Sequence, residues 1–245
     1  MDLDAQYDGI SDPYSLIADR DPSKYCVQFP WARAQLPEDV SSLNILDIGC
    51  GEGELSRSLA REGARVIAFD ESTKLIHKAK GLSEVNNLGI QYFVADARSI
   101  VDKVPKGTVD CAISTCVLHY AEDREHLNEF FTSTARLLKP GGTFAALVSN
   151  SDYRRFGETR YNRHYVKEGN GGLRVDFIDQ GRVICSALYR DFLKQDYERC
   201  IDAQLWSSFT WRSVLVDHCG AQVPPGFWDG FEEDCPYVGF VATRR

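Results

Sequence analysis

Between Leu43 and Asp70 the sequence reads LNILDIGCGEGELSRSLAREGARVIAFD, and its glycines and carboxylates have the types and spacing to do chemistry. Gly49 and Gly51 fall where an apolar run gives way to a helical pattern, so a ligand can come against bare backbone there. Asp70 follows nineteen residues after Gly51, about where a carboxylate accepts from the hydroxyls of a ribose held at such a turn. Together they suit a nucleoside-bearing ligand. The dinucleotide fingerprint G-x-G-x-x-G needs Gly or Ala where this chain has Glu54, and Gly53 comes one residue early. Glu52 and Glu54 also put two carboxylates at the start of the helix, where a pyrophosphate would be repelled and a cation attracted. The turn therefore disfavours an NAD-dependent oxidoreductase. It fits a phosphate-free nucleoside that carries positive charge.

The elements that must position these residues follow from period. NILDIG, ARVIAFD, IQYFVAD, TVDCAISTCVL and GGTFAALVSN read as five strands. EGELSRSLAREG, STKLIHKAKGLSEV and REHLNEFFTSTARLLK read as amphipathic helices, the second capped by Ser72 or Thr73. Strands joined by helices over such short spans predict right-handed crossovers and an α/β fold with a doubly wound, mostly parallel sheet. We expect a single domain over 1–245, with an N-terminal helical lid at 1–42, a cofactor-binding core at 43–150, a substrate cap at 151–192 and a C-terminal completion of the sheet at 193–245. In the cap, LRVDFIDQGRVICSALY predicts an antiparallel hairpin inserted after the fifth strand and lying over the carboxyl ends of the sheet. KQDYERCIDAQLW predicts a helix and YVGFVATRR a closing edge strand.

At 245 residues with a net charge of −8, the chain lacks the clustered basic residues that binding a polyanion requires. No nucleic-acid partner is expected. The eight cysteines form no C-x-x-C pair, and several lie in apolar runs, so buried free thiols are expected rather than disulfides or a metal site. No apolar run reaches the ~18 residues of a membrane span and the N-terminus is acidic, which predicts a soluble, cytoplasmic protein with no membrane partner.

S-adenosylmethionine is a nucleoside of the kind the turn favours: it has adenine, ribose, an ammonium and a sulfonium, and no phosphate. ILDIGCGEGELSRSLAREGARVIAFDES, VADA after the third strand, VDCAISTCVLHYAED at the fourth and ARLLKPGG before the fifth resemble the class I S-adenosylmethionine-dependent methyltransferases in order and spacing. YDGISDPY near the start, DYERC, and FWDGFEEDCPYVGFVA near the end are similar to the toxoflavin-synthase-like branch, small-molecule enzymes of secondary metabolism. The resemblance implies a Rossmann-like seven-stranded sheet and S-adenosyl-L-methionine as cofactor. It implies that Gly49, Cys50 and Gly51 approach the methionine moiety, that Asp70 takes the ribose hydroxyls with Glu71 alongside, and that Asp96 and Ala97 meet the adenine. Thr115, Cys116 and Val117 would direct backbone carbonyls toward the ammonium. Tyr7 and Tyr14 would lie on a helix closing over the cofactor.

Each assignment has a structural alternative. Asp96 could cap the following turn, Tyr7 and Tyr14 could form one packed helical face, and Cys116 could be a small residue beside a binding backbone. His119 and His164 are the candidate proton-transfer residues, though His119 could simply shape the pocket. Tyr153, Tyr161 and Tyr165 offer flat faces with polar tips to a planar acceptor. The expected reaction is methyl transfer to an N, O or S nucleophile of a small, planar or aromatic molecule, by a monomer or homodimer. A protein or RNA target, or a non-catalytic cofactor-binding scaffold, are the competing readings.

Overall fold

The computed structural model describes residues 6–18, 21–169, 171–217 and 223–245. Strands β1 (Asn44–Ile48), β2 (Arg65–Asp70), β3 (Gln91–Val94), β4 (Val109–Thr115) and β5 (Leu138–Ser149) alternate with helices α3 (Glu54–Arg61), α4 (Thr73–Glu84) and α5 (Arg124–Leu137). Helix α1 (Gln6–Ala18), a π-helical turn at Lys24–Gln28 and α2 (Phe29–Ala34) precede them. The helix starts are capped as their sequences dictate: Ser72 Oγ accepts from Leu75 N at 3.2 Å, and Asp123 Oδ1 from His126 N at 2.8 Å.

Four further strands, β6 (Thr159–Arg160), β7 (Arg163–Glu168), β8 (Gly172–Asp179) and β9 (Arg182–Arg190), form a separate antiparallel sheet in that order. The chain then runs through the short helix α6 (Lys194–Glu198) into β10 (Trp206–Arg212) and β11 (Tyr237–Arg244). The main sheet has seven strands in the order β10-β11-β5-β4-β1-β2-β3, parallel from β3 to β5, with β11 antiparallel to both neighbours. It is a doubly wound, Rossmann-like sheet carrying an antiparallel insertion after the fifth strand.

Three local expectations are corrected. The YVGFVATRR strand is interior, because β10 pairs along its free side and becomes the edge. The helix expected over 194–206 stops at Glu198, and Trp206 instead opens β10. The cap has four strands rather than two, since β7 pairs with β8 along its length. Its β8–β9 turn is tight, with Gln180 and Gly181 at φ 47° and 75°.

Apolar side chains of the sheet fill both faces. Phe131, Phe144, Phe240 and Trp206 pack on one side, while Trp31, Ile45, Leu59, Ile76 and Leu147 pack on the other. Among the described residues no helix is long and apolar enough to cross a membrane. Seven described cysteines are free thiols.

Candidate active site

A cavity of about 190 Å³ lies at the carboxyl ends of β1, β2 and β4, under the cap and the N-terminal helices. One end is walled by Phe69, Asp70, Glu71, Leu75 and Ala95, and the other by Tyr14, His119, Tyr165, Phe177, Tyr189 and Tyr237.

The glycine turn forms its floor. Gly49 has φ +67°, and a Cβ there would fall 2.2 Å from Val117 Cγ2. Only glycine lets β1 turn so close to the segment after β4. Gly51 has φ +54° and nothing within 4 Å of where its Cβ would be, so its bare backbone faces open space. The amides of Gly49 and Cys50 both donate to Phe69 O at 2.9 and 3.0 Å, Gly51 N donates to Asp70 Oδ2 at 2.9 Å, and Gly53 N to Cys50 O at 2.9 Å. Four amides that a phosphate would need are already engaged by protein acceptors.

Charge in the lining points the same way. Carboxylates of Asp47, Glu52, Glu54, Asp70, Glu71 and Glu122 line the cavity against two cationic side chains, Lys24 and Arg163. Both cations are ion-paired, Lys24 with Glu54 at 2.6 Å and Arg163 with Asp21. Asp47 is fully enclosed under the turn; burial, with Asp70 nearby, pushes its carboxyl up to about 6 despite the bond from Ser56. With Glu52 and Glu54 ion-paired, it is Asp47, Asp70, Glu71 and Glu122 that fit a cationic nucleoside and oppose a pyrophosphate.

Glu52 and Glu54 have a different role from the one expected of them. Glu54 accepts from Tyr25 Oη and pairs with Lys24; Glu52 accepts from Ser15 Oγ and pairs with Lys78 at 2.8 Å. They anchor the N-terminal helices over the turn, and their charge is largely spent there. Those helices bring Tyr14 into the lining, its ring edge-on to Phe177 at 5.3 Å. Tyr7 lies outside the residues whose side chains are described.

Thr115, Cys116 and Val117 line the cavity at the end of β4. Cys116 takes φ +59°, unusual for a side-chain-bearing residue, with its amide bonded to Leu147 O at 2.8 Å. Burial pushes its thiol up to about 12, so it is not a nucleophile at neutral pH. His119 is buried, and that burial lowers its value to about 3. Its Nδ1 accepts from Ser149 N at 3.3 Å, which leaves the ring proton on Nε2. The neutral ring can donate a hydrogen bond but is not set up as a base.

In the cap, alternation along β7 sends Arg163 and Tyr165 inward and His164 outward. His164 meets Asp176 Oδ2 at 3.1 Å, where Arg174 and Ser186 also bind Asp176, and it takes no part in the cavity lining. Of the three expected tyrosines, only Tyr165 lines the cavity. Tyr153 packs on Phe156 and Tyr165, while Tyr161 stacks on Trp228 and donates to Asp229 O at 3.3 Å. Asp96 and Ala97 stand behind the Ala95 wall. Ser99 N and Oγ donate to Asp96 Oδ1 at 2.7 and 2.6 Å, so Asp96 caps its turn, and Ala97 is core.

The structure adds lining residues that spacing did not single out. Asp47 had a sequence signal, an aspartate inside an apolar strand. Gln28, Tyr237 and His126 had none. Tyr165 Oη donates to Tyr237 Oη at 3.2 Å, as does Gln28 Nε2 at 3.4 Å, tying cap, sheet and N-terminal segment together.

Residues 45–142 match the family model for a methyltransferase domain. The ubiquinone biosynthesis O-methyltransferase of Bartonella tribocorum is 32% identical over 144 residues, a match covering 58% of this chain and 56% of that protein. The chain thus matches only about half the length of this curated relative. An S-adenosylmethionine-dependent methyltransferase structure from Mesorhizobium loti superposes with a TM-score of 0.59 at 24% identity, covering 88% of this chain and 96% of that one. The Burkholderia thailandensis 1,6-didemethyltoxoflavin-N1-methyltransferase, solved with 1,6-didemethyltoxoflavin and S-adenosylhomocysteine, superposes with a TM-score of 0.56 at 16% identity, covering 96% and 84%. Residues 45–142 are thus similar to a methyltransferase domain, and the chain shares the fold of these S-adenosylmethionine-dependent methyltransferase structures.

Proposed function

We propose that the protein transfers the methyl group of S-adenosylmethionine to a nucleophilic nitrogen, oxygen or sulfur of a small planar molecule. The observation that carries this reading is the glycine turn itself: its amides are occupied, its open face lies at Gly51, and carboxylates surround it. The cofactor would lie against Gly49, Cys50 and Gly51, with Asp70 and Glu71 beside the ribose and the Thr115–Val117 backbone facing the amino-acid end. When bound it supplies an electrophilic methyl on a sulfonium. Every other contribution is positional.

The aromatic wall of Tyr14, Tyr165, Phe177, Tyr189 and Tyr237 supports a flat acceptor, which these rings can clamp edge-on and face-on. Cap and N-terminal helices exclude water, and alignment of nucleophile and methyl can account for ~7–11 kcal/mol of barrier lowering. With His119 Nδ1 engaged, that ring is not the base, and an acceptor that brings its own lone pair suits the site best. The names of the Bartonella and Burkholderia proteins, one an O- and the other an N1-methyltransferase, both point to small-molecule acceptors and support that class.

The test is calorimetry against S-adenosylhomocysteine with NADH as control, followed by transfer of labelled methyl from S-adenosylmethionine to a panel of catechols, aromatic amines and aryl thiols. Binding of S-adenosylhomocysteine alone, with label entering one class, is expected. Binding without transfer to any of them would favour a cofactor-binding scaffold or a macromolecular target.

A further inference from the structure

One lining residue has a polar atom that the protein leaves without a partner. His126 sits in the first turn of α5, is 5% exposed, and stacks on Phe130 with centroids 5.3 Å apart and planes 16° apart. Its Nδ1 accepts from the backbone N–H of Glu122 at 3.3 Å, which puts the ring proton on Nε2. Nε2 is buried and has no hydrogen-bond partner. An orphaned buried donor is costly and uncommon in a native interior, and this one belongs to a residue lining the candidate cofactor cavity.

We infer that His126 reads the adenine of the cofactor, donating from Nε2–H to one of its ring nitrogens. The inference rests on the S-adenosylmethionine reading above. Leu75, Ala95, Val117 and Phe130 line the same cavity and offer apolar surface for a flat base, with Asp70 marking the ribose. A donor needs an acceptor. The ammonium and sulfonium can accept nothing, and of the remaining acceptors the ring nitrogens N1, N3 and N7 of adenine, rather than the carboxylate or the ribose oxygens, suit the apolar surface around His126. Asp96 Oδ1 is spent on Ser99 and Ala97 is buried core, so His126 supplies a base-reading group that neither of them provides.

The experiment measures Kd by calorimetry for wild type, His126→Phe and His126→Gln against five ligands: S-adenosylhomocysteine, its 1-deaza, 3-deaza and 7-deaza analogues, and 5′-methylthioadenosine, which lacks the amino-acid end. His126→Phe keeps the stack on Phe130 and removes the orphaned donor, so the ligand-free melting temperature should hold or rise while Kd for S-adenosylhomocysteine increases about tenfold. One deaza analogue should show that loss on wild type and no additional loss on His126→Phe. His126→Gln, with an N–H of similar reach, should recover part of the affinity, and 5′-methylthioadenosine should show the same mutant penalty. Equal Kd for wild type and His126→Phe would overturn the inference, as would a uniform penalty across the deaza series or one confined to ligands with the amino-acid end. Failure of wild type to bind S-adenosylhomocysteine would overturn the cofactor reading itself.

Discussion

The backbone N–H of Gly51 donates to Asp70 Oδ2 at 2.9 Å, and the N–H of Ser72 donates to Asp70 Oδ1 at the same distance. One carboxylate therefore fastens the turn after β1 to the end of β2 while lining the cavity. Asp70→Ala should weaken S-adenosylhomocysteine binding by roughly 10–100-fold, the range for losing charge-assisted hydrogen bonds. Calorimetry on a variant with native circular dichroism checks it, and unchanged affinity would remove Asp70 from the ribose.

Gly49→Ala should destabilise the protein by about 3 kcal/mol, combining a left-handed backbone with collision against Val117. Adding Val117→Ala should recover part of that loss and leave the backbone strain. Urea denaturation of both single variants and the double variant gives the coupling, and strict additivity would mean that the clash relaxes elsewhere.

Asp47 should make stability fall as pH rises. Its folded value of about 6 lies above the ordinary carboxylate value, so between roughly 4 and 6 the folded protein holds a proton that the unfolded chain has released. The stability present at low pH is lost through that window, on the order of 3 kcal/mol. Asp47→Asn, which mimics the protonated acid, should flatten the slope between pH 4.5 and 7.5 in chemical denaturation. Affinity for a cationic nucleoside runs the other way and should increase as Asp47 ionises.

Arg163 and Asp21 join the cap to the N-terminal segment through a pair exposed by only 5% and 3%. Arg163→Met alone strands a buried carboxylate and should cost about 3–5 kcal/mol. Combining it with Asp21→Leu should restore most of the melting temperature. A double variant no better than the single one would show that the guanidinium, which also lies over the Phe177 ring at 4.4 Å, matters chiefly through packing.

Because burial holds His119 at about 3, it contributes no ionisation between pH 5 and 8. A pH–rate profile of methyl transfer should keep its shape in His119→Phe even if the rate falls. Disappearance of a limb near pH 6.5 in that variant would restore it as the base.

The parallel core was legible because its strands and helices repeat with clean periods and its turns carry glycine. β10 was not: a register shift between Trp206 and Ser208 breaks its alternation, and serines occupy outward positions. β7 was hidden because its inward residues include Arg163, whose charge is neutralised by a carboxylate 142 positions away. Glu52 and Glu54 misled for a similar reason. Their partners Ser15, Lys24 and Tyr25 lie some thirty residues upstream, beyond any local pattern. At Asp96 the resemblance implies a contact with the adenine, and the local Ser99 turn takes one oxygen of that carboxylate.

The position of β11 has a consequence for how the chain acquires its structure. It slots between β5 and β10, so a ribosome must deliver residues 237–244 before the edge of β5 is covered. Until then Phe144, Ala146 and Val148 sit on a strand with unpaired amides and carbonyls, a template for association with other nascent chains. The long-range pairing that closes the sheet makes folding slow relative to local helix formation. Truncations that spare every cavity-lining residue but remove 238–245 should therefore yield aggregates rather than a weakened enzyme.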